Sequence, residues 1–267
     1  MHINFTRRLA LLTLPLLAAP ALANERHFTF SYESAVLPKG AKELEVWATP
    51  RYLRDDYYGQ IDTRLELEVG VTDKVMTAFY LNATGVTAET GPGMLESGAE
   101  ITGVSNEWKV KLADPVADAL GVGLYGEVTV GPAEFELEAK LLLDKKLGSM
   151  LLVANLIGEI ELEIEAEGDE VEAEPEGVIA ATFGASWELS EHFHAGIELV
   201  NENDLAHKKL QHSALLLGPV ISYATEEWWV AASVLPQLPA LYHHADQTYD
   251  LESHERVLAR ILVSFHL

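Results

Sequence analysis

From about Lys42 to the last residue, Leu267, the chain alternates apolar and polar residues in twelve stretches. A period of two puts successive side chains on opposite faces of a strand, which no helix can satisfy. The stretches cover approximately 42–53, 58–70, 75–84, 98–112, 119–130, 134–144, 149–164, 177–189, 192–203, 212–224, 227–237 and 254–267. Their lengths suit the ~9–11 residues that a tilted membrane strand needs, with some overhang. The predicted fold is therefore all-β: a single antiparallel transmembrane β-barrel of about twelve strands over residues 42–267. An even count returns both ends of the barrel to the same side.

The connections alternate in length as such a barrel requires. One set is short and made of turn-forming residues: Val71–Lys74, Asp114–Asp118, Lys145–Gly148, Ser190-Glu191 and Thr225-Glu226. The other set is mostly longer: Gly85–Ser97, Glu165–Glu176, Asp204–Gln211 and Leu238–Ser253, with short exceptions at Arg54–Tyr57 and Gly131–Ala133. Short periplasmic turns and longer outside loops are the expected pattern.

Residues 1–23 read as a secretory signal peptide. Arg7 and Arg8 form the positive end, Leu9–Leu17 the short apolar stretch, and Ala21-Leu22-Ala23 the cleavage site. Its removal leaves 16 basic against 42 acidic residues, a net charge of −26. That balance argues against nucleic acid as a partner, which needs a basic face. The chain has no cysteine, so thiol chemistry is excluded and stability must come from elsewhere; a closed barrel of backbone hydrogen bonds supplies it. Residues 24–41 precede the repeat. An extra strand there would make thirteen, so a lumen-lying arm or a periplasmic lead-in is the expectation.

Alternation alone does not say which face points inward, since a soluble barrel around an apolar ligand has the same period. Three features favour an apolar exterior. In 58–70, Asp62, Arg64, Glu66 and Glu68 alternate with Leu65, Leu67 and Val69; in 134–144, Glu136, Glu138, Lys140 and Asp144 alternate with Leu137, Ala139, Leu141 and Leu143. The apolar rows are free of charge, as lipid contact demands. Trp187, Phe193, Tyr223, Trp228 and Phe265 gather near the periplasmic ends, where aromatic girdles form. The final strand carries Val257, Ala259, Ile261, Val263, Phe265 and Leu267 on one face, a C-terminal signal of the kind that barrel-assembly machinery reads. The expected surroundings are outer-membrane lipid and the bacterial outer membrane.

The lumen then presents Asp62, Arg64, Glu66, Glu68, Glu107, Lys109, Lys111, Glu127, Glu136, Glu138, Lys140, Glu159, Glu161, Glu198 and Arg260. An excess of inward carboxylates predicts a preference for cations. The bland alternative is that these charges pair across strands and fill the barrel. Eight strands enclose only side chains and sixteen leave a channel, so twelve lies between. The acidic stretch Glu165–Glu176 lacks the spacing of a calcium loop and reads as a solvated, self-repelling outer loop. His192-Phe193-His194 puts two imidazoles on one face and His243-His244 forms a second pair, but neither has a nameable third ligand. No metal, cofactor or catalytic residue is expected. An embedded hydrolase would need an activated serine, and no G-x-S-x-G motif occurs.

Several short motifs carry a resemblance: Tyr32-Glu33-Ser34-Ala35-Val36-Leu37-Pro38-Lys39-Gly40 followed by Glu43-Leu44-Glu45, Leu67–Asp73, Ser105-Asn106-Glu107-Trp108-Lys109 and Ala154–Glu159. In these the chain resembles the MetA-pathway (phenol-degradation) transporter-like barrels and related outer-membrane proteins. The resemblance implies a porin-like barrel for small solutes, with organic or aromatic molecules as the lean. Beside this stand a non-conducting barrel working through its outer loops, and a soluble periplasmic β-protein with an apolar ligand inside.

Overall fold

Twelve antiparallel strands close on themselves in the computed structural model, which describes residues 25–132, 134–167, 170–207, 209–239, 241–242 and 248–267, with the side chains of 163–174 outside that description. The signal peptide and the His243-His244 pair also lie outside the described residues. The strands are β1 (Lys42–Tyr52), β2 (Tyr58–Thr72), β3 (Val75–Gly91), β4 (Met94–Ala113), β5 (Gly121–Val130), β6 (Glu134–Leu147), β7 (Met150–Glu167), β8 (Glu170–Ser190), β9 (Phe193–Ala206), β10 (Lys209–Ala224), β11 (Trp228–Leu238) and β12 (Val257–His266). Each pairs with its sequence neighbour, and β12 pairs with β1 to complete the ring, Leu44 facing Phe265 and Val46 facing Val263. Closure leaves no unpaired edge, the condition a sheet must meet in hydrocarbon.

The faces sort by chemistry. Leu65 is 46% exposed while its neighbour Glu66 is 1% exposed; Phe79, Leu81, Val104, Leu137, Leu156, Ile160, Phe183 and Ile197 all point outward. This apolar outside and charged inside overturn the soluble alternative, whose faces would be reversed. Trp187, Tyr223 and Phe265 sit exposed at the end that carries the short turns and both barrel termini, with the Tyr223 and Trp228 rings 5.6 Å apart. That end is the periplasmic one.

At the opposite end the structure corrects the expected loops. β3 and β4 run through most of Gly85–Ser97 and pair as far as Gly91 with Met94, turning at Pro92-Gly93, where Gly93 has φ +71°. The stretch Glu165–Glu176, expected as an open loop, continues the β7–β8 ladder to Glu167 opposite Glu170. Asp204–Gln211 shortens to a tight connection between Ala206 and Lys209. These strands reach 17–21 residues, roughly 56–70 Å at ~3.3 Å per residue, far beyond the ~25 Å apolar band. Their outer halves stand above the membrane, where the backbone ladder satisfies the polar groups whatever the side chains are. His254 and Glu255, expected to open the last strand, instead belong to a loop folded over the barrel, and both are buried.

Candidate functional site in the barrel lumen

Residues 25–41 are not a strand but a re-entrant arm inside the barrel. It enters at the periplasmic end, turns around Phe30 and Ser31, and returns to Lys42. An arm inside a barrel has no ladder for its backbone, so lumen side chains must take those bonds. Glu198 accepts from the backbone N–H of Thr29 (3.1 Å), Phe30 (2.9 Å) and Ser31 (2.6 Å) and from the Thr29 hydroxyl (2.9 Å). The Asn155 amide binds Tyr32 twice, accepting from its N–H at 2.6 Å and donating to its carbonyl at 2.9 Å. Asp144 accepts from the Ser34 N–H and hydroxyl at 3.0 and 2.7 Å.

Apolar lumen residues complete the seat. Phe28 is fully buried against Leu151, Val153 and Val220, and Phe30 packs on Val200, Ala214, Leu216, Leu235 and Leu258. Gly184 leaves the room that Phe28 fills: a Cβ there would stand 2.3 Å from the ring. At the arm's base His27 and Glu33 clasp the two legs together, with Nδ1 2.8 Å and the His27 N–H 3.0 Å from one Glu33 oxygen. Burial opposes a charged imidazole, yet the adjacent Glu33 carboxylate carries the His27 pKa above its ordinary 6.5. Burial likewise works against the Glu33 carboxylate, but His27 and its two bonds hold that pKa below 4.5.

Above the arm lies a cavity of about 520 Å³ in the outer half of the lumen, with Phe30, Tyr32 and Trp47 among its lining. Eight of the residues singled out from sequence line it: Asp62, Arg64, Glu136, Glu138, Lys140, Glu159, Glu161 and Arg260. Glu66, Glu68, Glu107 and Lys109 lie below, buried around the arm. Glu127 is buried between the two levels, 3.2 Å from Arg64. Glu198 is capped by the arm, and Lys111 stands at the periplasmic rim, 3.3 Å from Asp114. Sequence reasoning passed over Arg51 and Glu202, which also line the cavity. Both continue inward rows, Trp47-Thr49-Arg51 and Glu198-Val200-Glu202, so period two could have found them.

The charges do not simply cancel across neighbouring strands. Glu107, Glu127, Glu138 and Glu159 face one another in succession across β4, β5, β6 and β7, and Glu136 faces Glu161. Like charges directly opposite are destabilising. Relief is partial: Lys140 lies 3.0 Å from Glu138, and the Tyr80 and Tyr125 hydroxyls donate to Glu107 and Glu127. Across the lumen, Arg51, Arg64 and Arg260 stand on β1, β2 and β12. Arg51 bonds Asp62 at 2.8 Å, and Arg260 lies over the Phe30 ring at 3.9 Å. The vestibule thus has an acidic wall on β6–β7 and an arginine wall on β12–β1–β2. His192 and His194 diverge: His192 stacks near Tyr223, while the buried His194 meets His27 edge-on at 4.3 Å.

Residues 20–267 match the profile of a family of unknown function, DUF6662. No curated protein matches the sequence. Among solved structures, the COG4313 outer membrane channel from Pseudomonas putida F1 superposes with a TM-score of 0.64 at 12% identity, covering 90% of this chain and 100% of that one. The NanC porin superposes at 0.54 with 12% identity over 84% and 100%. The β domain of the Bordetella autotransporter BrkA reaches 0.50 with 12% identity over 86% and 100%. At such identities the likeness is one of fold. The fold is that of a bacterial outer-membrane barrel, similar to channels and porins; the motif resemblance to MetA-pathway barrels reaches that class and not the particular family.

Proposed function

The chain belongs to this family of unknown function, and we propose that it is a passive outer-membrane channel for small solutes with a preference for cations. The observation that carries this reading is the vestibule above the arm, where carboxylates outnumber cationic groups and concentrate on one wall. Fixed charges lining a pore raise the local concentration of the opposite sign and set its selectivity. The rings at the cavity floor are covered by the chain's own cations, Arg260 over Phe30 and Arg26 and Lys140 over Tyr32, so the lean toward small organic or aromatic solutes within the class rests on the motif resemblance alone. The N-terminal arm is the constriction that a solute has to pass.

Planar-bilayer recordings test the reading with the wild-type protein and with Gly184→Leu, in which the seat of Phe28 is filled. Cation-preferring steps, larger in the variant, are expected. Anion preference in both proteins defeats it. The buried arm itself favours a second reading, a non-conducting barrel acting at the cell surface, and silence of both proteins selects that one.

A further inference from the structure

At the outer end of the barrel, β9 and the loop that follows β11 bring together Glu202, Asp204 and His254. Glu202 and Asp204 are two residues apart on one strand, so both side chains project to the same face. His254 comes from the loop and is only 6% exposed. Its Nε2 stands 3.8 Å from Glu202 Oε1 and 3.7 Å from Asp204 Oδ2, beyond hydrogen-bond reach of either. Its Nδ1 is buried without a hydrogen-bond partner and faces Asp250 Oδ2 at 3.8 Å. A buried imidazole that stands 3.7–3.8 Å from all three carboxylates around it is loosely spaced, with room for an ion between them. Four ligands at ~2.0–2.1 Å from a tetrahedral ion lie roughly 3.3–3.5 Å apart, close to the spacing seen.

We propose that Glu202, Asp204 and His254 form a binding site for a divalent metal of the zinc class. One imidazole nitrogen and two carboxylate oxygens suit a borderline ion better than calcium or magnesium, which take oxygen ligands alone. Asp250 serves as the outer partner of the imidazole. It is held by the Ser213 N–H at 3.0 Å and by His212 Nδ1 at 3.1 Å, and it lies 3.8 Å from His254 Nδ1, placed to accept from that nitrogen once the ring turns its Nε2 onto the metal. Since Glu202 also lines the lumen cavity, the site borders that space. The bound ion ties the loop after β11 to β9 and braces the outer mouth. This inference does not depend on whether the barrel conducts.

Titration calorimetry of the full-length barrel in detergent, with zinc chloride as the probe, reads the site directly. One equivalent bound at micromolar affinity or tighter is expected. His254→Gln is expected to lose at least about a hundredfold, and Asp250→Asn about 10–100-fold, the range for a lost outer partner. Glu202→Gln reports on the same site from β9 should the loop variant misfold, and heat-modifiable gel migration checks that each variant is folded. His192→Gln, far from the site, should bind as the wild type does. Absence of zinc binding, calcium binding of equal strength, or an affinity unchanged in both His254→Gln and Glu202→Gln overturns the proposal.

Discussion

Glu198 shows how much one inward residue decides. Its two oxygens take four donors from three consecutive arm residues. Bonds to a charged acceptor contribute about 1.5–3 kcal/mol each, and a buried N–H left unpaired costs about 1–3 kcal/mol. Glu198→Ala should therefore weaken arm docking by on the order of 3 kcal/mol or more. Hydrogen exchange at Phe28–Tyr32 would then speed up at least about a hundredfold; unchanged protection would remove Glu198 from the anchoring role. Gly184 acts by absence: filling it collides with Phe28, and overpacking of this kind costs typically 1–3 kcal/mol. Neither role is readable from the sequence. Alternation puts both residues on the inward face, but what they meet there is decided by an arm about 155–170 residues earlier in the chain.

At the scale of elements, the strands announce themselves, whereas for residues 24–41 the sequence leaves a lumen-lying arm and a periplasmic lead-in both open. Period two, turn chemistry and clean apolar rows mark where β1 to β12 cross the membrane, because lipid on one side and a polar lumen on the other enforce alternation. Outside the membrane that pressure stops, so the outer hairpins of β3–β4 and β7–β8 read as loops although the backbone ladder continues. The exterior rows carry a direct test. Leu65→Arg places a charge in the lipid-facing band and should destabilise the barrel by about 2–4 kcal/mol if it lies near the midplane, measured by denaturant unfolding in lipid vesicles; an unchanged midpoint would mean that this row does not contact lipid. The arm follows a different chemistry, set by His27 and Glu33. With His27 raised, its contribution is complete below its ordinary pKa of 6.5 and is lost as pH rises through the elevated value. With Glu33 lowered, its contribution is present above 4.5 and is lost as pH falls through the depressed value. Docking should be firmest between pH 4.5 and 6.5 and loosen on either side. Protection factors of the arm's amides, the exchange rates corrected for the intrinsic pH dependence of amide exchange, would show a maximum there in the wild type and a flattened profile in His27→Gln; a wild-type profile already flat would refute the clasp.

For the whole molecule, the question is how a barrel with so many inward acids holds together and what the arrangement favours. The strand register sets Glu107, Glu127, Glu138 and Glu159 side by side, a sequence of like-charge contacts that local pairing only partly offsets. Such a row is tolerable when the lumen draws in cations, and the arginines opposite keep the cost from spreading round the ring. Selectivity should then follow the acidic wall as a unit. Neutralising Glu136, Glu138 and Glu159 together to Gln removes three carboxylates from β6 and β7 while leaving Arg51, Arg64, Lys140 and Arg260 in place. Reversal potentials across a salt gradient should move from cation preference toward neutrality or anion preference in the triple variant. The difference from wild type should shrink at molar salt, where the screening length falls to about 3 Å from about 10 Å at 0.1 M. Because the four-strand row is electrostatically strained, the same substitutions should raise stability rather than lower it, read as a higher denaturant midpoint. A variant that keeps wild-type reversal potentials at low salt would show that the acidic wall does not face the conducting path.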